Sequence, residues 1–123
     1  MPHDENTNKS FKAKELKYSS KAAEKALKAL PDKIKIQFLQ NLEMICYGLP
    51  LELKIEHLES IGSGVIELKI NGSPAYRCIY YNKLPGQVFV LHAAKKTTNG
   101  KDSKILKLAE KRLKSLLKSL KKG

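Results

Sequence analysis

Between Val65 and Lys96 the chain reads VIELKI, NGSP, AYRCIYY, NKLPG and QVFVLHAAKK. Short apolar runs so close together, each separated by turn chemistry, predict neighbouring antiparallel strands. Ile66, Leu68 and Ile70 alternate with Glu67 and Lys69, the period of a strand with one buried face. Asn71-Gly72 predicts a tight type I′ hairpin, because both central residues of that turn need positive φ. The run Val88 to Leu91 is apolar without interruption and predicts a central strand covered on both faces or over most of one.

The flanks read as helices. Ser19-Ser20 offers an N-cap to a segment with Ala23, Ala26, Leu27 and Leu30 at helical spacing, which Pro31 ends. Asp32 then caps a second segment carrying Ile34, Phe38, Leu42 and Ile45, and Gly48 and Pro50 stop it. Residues 20–47 are thus expected to form a helix hairpin. Upstream, Phe11–Tyr18 reads as a Lys-guarded edge strand or a frayed helical turn, and 1–10 as a disordered polar tail. Leu51, Leu53 and Ile55 alternate with Glu52, Lys54 and Glu56, suggesting an extended segment. Ile61-Gly-Ser-Gly64 lacks the Lys and helix of a phosphate loop and reads as a turn. After a basic loop, Asp102 or Ser103 caps a last helix. Its stripe of Leu106, Ala109, Leu113, Leu116, Leu117 and Leu120 lies opposite Lys104, Lys107, Lys111, Lys114, Lys118 and Lys121. The expected architecture is one α+β domain over 11–120. It consists of a twisted antiparallel sheet of about four strands, an N-terminal helix hairpin on one face and a C-terminal helix.

A formal charge of +12 and a pI near 9.7 favour polyanionic partners: nucleic acid, an anionic membrane surface or an acidic protein. Arg occurs only at Arg77 and Arg112; every other cation is Lys. Cys46 and Cys78 sit in apolar runs, without metal spacing, and are expected as buried free thiols in a reducing cytoplasm. The first ten residues hold no apolar signal-peptide core, and no run reaches membrane-span length. His3 lies in the polar tail with no assignable role. No metal cluster, cofactor motif or serine nucleophile motif is present in the sequence.

In order and spacing, residues 20–117 resemble the phage-derived Gp49-like proteins, which include HigB-type toxins of the RelE/ParE toxin–antitoxin superfamily. ALPDKIK at 29–35, IELKI at 66–70, AYRCIYY at 75–81, VLHAAKKT at 90–97 and LAEKRLKSL at 108–116 carry the likeness. The family pattern runs W-E-L-R, then Y-R and two apolar residues before Y, then L-H-x-F-x-K-K, then a helix with A-x-x-R. Here Ile66-Glu67-Leu68-Lys69 replaces the first motif, Ala94 replaces the aromatic of the third, and the doubled Lys falls at Lys95-Lys96. Lys69 in place of Arg loses a bidentate phosphate fork.

The resemblance implies a RelE-like fold and a metal-independent endoribonuclease that cuts mRNA on the ribosome, neutralised by an antitoxin, expected as a small helix-turn-helix protein. It implies Arg77, His92 and Lys69 as catalytic candidates, and Lys95, Lys96, Lys54, His57 and Tyr81 as RNA contacts. Arg77 can clamp a phosphate or pair with Glu67 across the hairpin. His92 can serve as a general acid or as a hydrogen-bonded structural histidine. Lys69, Lys95 and Lys96 can hold RNA or be plain surface charge. Tyr81 can stack on a base or fill the strand surface. Three other readings are open: a ParE-like gyrase inhibitor that is not a nuclease, a non-catalytic RNA-binding relative, and a membrane-surface role for the last helix.

Overall fold

The computed structural model describes residues 11–122, so the expected tail at 1–10 lies outside the described residues. In chain order the elements are β1 (Glu15–Tyr18), α1 (Lys21–Lys28), α2 (Asp32–Cys46), β2 (Lys54–His57), β3 (Val65–Ile70), β4 (Ala75–Tyr81), β5 (Gln87–Lys96) and α3 (Ser103–Lys122). The α+β class and the central meander are as expected. The sheet, however, has five strands and is mixed, in the order β1-β5-β4-β3-β2. The segment that reads as edge strand or helical turn is β1, and it pairs in parallel with β5, Leu16 opposite Val88 and Tyr18 opposite Val90. Pairing between such distant segments leaves no local signal, because hairpin chemistry marks only neighbours. The extended segment before the meander supplies β2, antiparallel to β3.

The Asn71-Gly72 turn is not type I′: among the described residues only glycines have positive φ. A two-residue turn would draw Pro74 into the ladder, and proline has no N–H to give it. The loop instead spans 71–74, with a cis Ser73–Pro74 bond, and Ala75 opens the next strand.

Alternation sends each strand's side chains to two separate cores. Leu68, Tyr76, Cys78, Tyr80, Val88 and Val90 pack under the α1–α2 hairpin, against Leu27, Phe38, Leu42 and Cys46. Val65, Ile79, Tyr81, Phe89 and Leu91 pack under α3, against Ile105, Ala109, Leu113 and Leu116. The helices therefore cover opposite faces of the sheet, which is why β4 and β5 are apolar nearly throughout. Ile105 belongs to the buried stripe of α3, whereas Leu120, counted in that stripe from sequence, is exposed.

Local chemistry fixes the ends. Ser20 Oγ accepts from Ala23 N at 3.1 Å and caps α1. Pro31, not Asp32, occupies the cap position of α2; Asp32 is the first helical residue and pairs with Lys35 at 3.4 Å. Gly48, at φ +71°, closes α2, with its N–H donating to Ile45 O. Asn41 is buried: its Oδ1 accepts from Glu52 N and Leu53 N, fixing the approach to β2. Both cysteines are buried free thiols. Among the described residues no helix is long and apolar enough to cross a membrane.

The ladder between β4 and β5 is interrupted by a bulge. Tyr80 faces Val90 while Ile79 faces His92, so Leu91 is an extra, unpaired residue in β5. Val90 and Ala93 consequently share the hairpin-side core, and from Ala93 onward the alternation of β5 is inverted. The carbonyl that the bulge frees, Leu91 O, accepts from Arg112 Nη1 of α3 at 3.1 Å.

Candidate functional site

A cleft of about 210 Å³ opens on the α3 side of the sheet, where α3 begins. Glu56 of β2, Glu67 and Lys69 of β3, Arg77 of β4 and Lys96 of β5 line it. The segment Gly100–Asp102 and the apolar side chains of Leu58 and Leu106 complete it. Register explains the convergence. Lys54, Lys69 and Arg77 stand opposite one another across three strands, and Glu56 faces Glu67 one step along. Like charges directly opposite repel. The side chains lean diagonally instead: Lys69 Nζ lies 2.6 Å from Glu56 Oε1, and Arg77 Nε lies 3.9 Å from Glu67 Oε2.

The two pairs differ in kind. Glu56 is exposed, and its bond to Lys69 holds its carboxyl below the usual range. Glu67 and Arg77 are each only 7% exposed. Burial pushes the Glu67 carboxyl above its ordinary value, against the opposing pull of Arg77. Among the described residues Glu67 accepts no hydrogen bond, whereas Arg77 Nη1 donates to Tyr76 O at 2.9 Å. Arg77 therefore keeps donor capacity, and Glu67 keeps acceptor capacity, toward the cleft. Asp102 is committed elsewhere: Oδ2 accepts from Thr97 N and Thr97 Oγ1, and Oδ1 from Ile105 N, so it caps α3 and braces the loop that carries Lys101. Among the described residues no group of three His, Cys, Asp or Glu side chains is arranged to hold a metal ion.

The structure thus brings Lys69, Arg77 and Lys96 together. Lys96 reaches the cleft because of the bulge; Lys95, opposite Tyr76, belongs to the hairpin side and is exposed. Lys54 flanks the cleft on the edge strand, whereas His57, opposite Ile66, belongs to the hairpin-side register of β2. Tyr81 is 8% exposed, packed under α3 at the far end of β4, and presents no free ring face for a base. His92 also stands apart from the cleft. Arg112 Nη1 lies 2.9 Å from its Nδ1, and a guanidinium can only donate, so the imidazole proton is on Nε2. Burial first, and then Arg112, hold its pKa down to about 4.

The depressed His92 makes stability depend on pH. The unfolded chain binds a proton at His92 near pH 6.5 and the folded chain near 4, so stability falls as pH drops through this window and levels off below it. The loss from this group is about 3 kcal/mol. Urea unfolding at neutral and mildly acid pH should show a smaller acid loss for His92→Gln than for the parent.

In the sequence Glu67 reads only as a partner for Arg77, and Glu56 and Lys101 do not stand out as site residues. A parity signal is nevertheless present, since Glu67 shares its strand face with Lys69, and Glu56 shares its face with Lys54. Nothing local, however, indicates that 100–102 folds over that face.

The family model described as Phage derived protein Gp49-like (DUF891) matches residues 25–114, a span that holds the second half of α1, all of α2, β2 to β5 and a little over half of α3. No curated protein and no solved structure matches the chain.

Proposed function

Because this chain belongs to the phage-derived Gp49-like family, a family of RelE-like toxins, we propose that it is the toxin of a type II toxin–antitoxin system and acts by cutting mRNA on the ribosome. The observation that carries this reading is the buried Glu67–Arg77 pair at the wall of a cleft also lined by Lys69, Lys96 and Lys101. Intramolecular RNA cleavage asks for three things. A base takes the proton of the 2′-hydroxyl, cations stabilise the charged phosphorane, and an acid protonates the departing 5′-oxygen. The products are a 2′,3′-cyclic phosphate and a free 5′-hydroxyl.

Glu67 is assigned the base: a carboxylate whose pKa is raised toward neutrality by burial takes a proton more effectively than an ordinary one. Arg77 and Lys69 hold the scissile phosphate. Lys69 must exchange Glu56 for the phosphate, so Glu56 acts as a placeholder anion until RNA binds. Lys96 and Lys101 supply the proton to the leaving oxygen and further positive charge. His92, neutral and engaged by Arg112 beneath α3, is left a structural role. The excess of positive charge also suits an acidic antitoxin, whose association it would accelerate.

The test is to express the chain from a tightly controlled promoter in bacteria and map mRNA 5′ ends over the following minutes. New ends inside translated codons, bearing 5′-hydroxyls, are expected. Growth arrest with intact mRNA and DNA-damage signalling would replace this reading with gyrase inhibition.

A further inference from the structure

Outside the cleft, the strongest concentration of unused chemistry is the outer face of α3. Lys104, Lys107, Lys111, Lys114, Lys118 and Lys121 are all exposed and recur at three- and four-residue intervals. On a helical wheel they fall within about 100° of one another, centred opposite the buried Ile105, Ala109, Leu113 and Leu116. The ridge is about 25 Å long at the helical rise of about 1.5 Å per residue. Glu110 is the one acidic residue of α3, and it approaches only Lys114, at 4.0 Å. That pair is exposed and weak. Among the described residues no other lysine of the ridge has a carboxylate within salt-bridge distance.

Two further features narrow the partner. The arc that the lysines occupy contains no apolar side chain; the half-buried Leu106 and Leu117 lie on its flank. Protein interfaces need an apolar core, and interfacial helices need apolar residues to insert. A phosphodiester backbone needs only point cations at intervals, which lysines supply. The ridge also begins beside the cleft: Lys101 lines it, and Lys104 follows in the first turn of α3.

We propose that the outer face of α3 is a docking track for the phosphate backbone of a structured RNA, which it holds while an adjoining single strand enters the cleft. The RNA identity of the occupant rests on the nuclease reading of the cleft; the phosphate chemistry of the ridge does not.

The test is equilibrium binding of a fluorescein-labelled RNA hairpin, followed by anisotropy across a salt series, which requires no turnover. The variants are Lys111→Gln/Lys114→Gln/Lys118→Gln and, for the cleft, Glu67→Leu/Arg77→Met. The parent should bind with a steep salt dependence. The lysine variant should lose roughly 2–3 from the slope of log affinity against log salt, and roughly tenfold in affinity at low salt. The cleft variant should keep most of the parental slope. An unchanged slope in the lysine variant overturns the proposal. So does binding of phosphatidylglycerol vesicles or polyglutamate, but not of the hairpin, through the same lysines; that result assigns the ridge to a membrane or an acidic protein. A parent that binds the hairpin through the ridge yet leaves cellular mRNA intact keeps the track and removes the nuclease reading. A parent that cuts mRNA while the lysine variant binds unaltered does the reverse.

Discussion

Cells induced to make the Arg77→Ala chain are expected to keep growing, and the purified variant to unfold at lower denaturant concentration than the parent. Both effects come from one side chain. Arg77 is buried beside Glu67, and removing it strands a carboxylate in the wall of the cleft. Breaking a buried pair from one side costs about 3–5 kcal/mol in closed interiors. The long contact and the open cleft reduce this, and about 2–3 kcal/mol is expected here. Loss of toxicity alone would therefore be ambiguous, since a destabilised toxin is also a weak one. The double variant Glu67→Leu/Arg77→Met separates the effects. With both charges gone and volume kept, it should regain most of the parental stability, because replacing a buried ion pair by packed apolar groups is often neutral or better. It should still fail to arrest growth. Recovery of arrest in the double variant would show that the pair serves the fold and not the chemistry.

Glu67→Gln should give the cleaner loss. The amide keeps the shape and cannot take a proton, so cleavage should fall by roughly 10²–10⁴, the usual worth of a general base. Stability should be unchanged or slightly higher at neutral pH. A carboxyl whose folded pKa is raised opposes folding once ionised, since its stabilising contribution lies at low pH and is lost as pH rises through the raised value. The measurement is mRNA 5′-end frequency per ribosome footprint, beside a urea unfolding curve. A Glu67→Gln chain that cuts at the parental rate would transfer the base role to Glu56, the other carboxylate in the cleft without a structural commitment to α3.

The parts of the molecule legible in the sequence are those whose cause is local. Ser20 caps α1, Gly48 closes α2, and the period of Ile66, Leu68 and Ile70 places β3 half in the core. The misreadings have distant causes. β1 pairs in parallel with a strand more than seventy positions away in the chain, Glu15 opposite Gln87, and no turn signal marks such a pairing. Pro74 displaces the Asn-Gly hairpin because its missing N–H matters only once the register is known. The site shows the same division. Arg77 and Lys69 share strand parity, so their common face can be read from the sequence. Arg77 reads there either as a phosphate clamp or as a partner for Glu67, and only the packing of Gly100–Asp102 and Leu106 around the cleft puts it under cover. His92 ends a strand motif, but its commitment to Arg112 depends on where α3 lies.

The single extra residue at Leu91 makes the effect of a length change in β5 depend on where the change falls. Substitutions along a strand act by degrees, but the phase of a strand has only two values. Removing Leu91 would leave an unbroken ladder in which His92 follows Val90 opposite Ile79, while Lys95 and Lys96 keep their present partners and faces; removing Ala94 or Lys95 would instead turn Lys96 away from the cleft. Among descendants of this chain, loss of one residue at the bulge between Val90 and Ala93 should therefore be tolerated more readily than loss of one between Ala93 and Lys96.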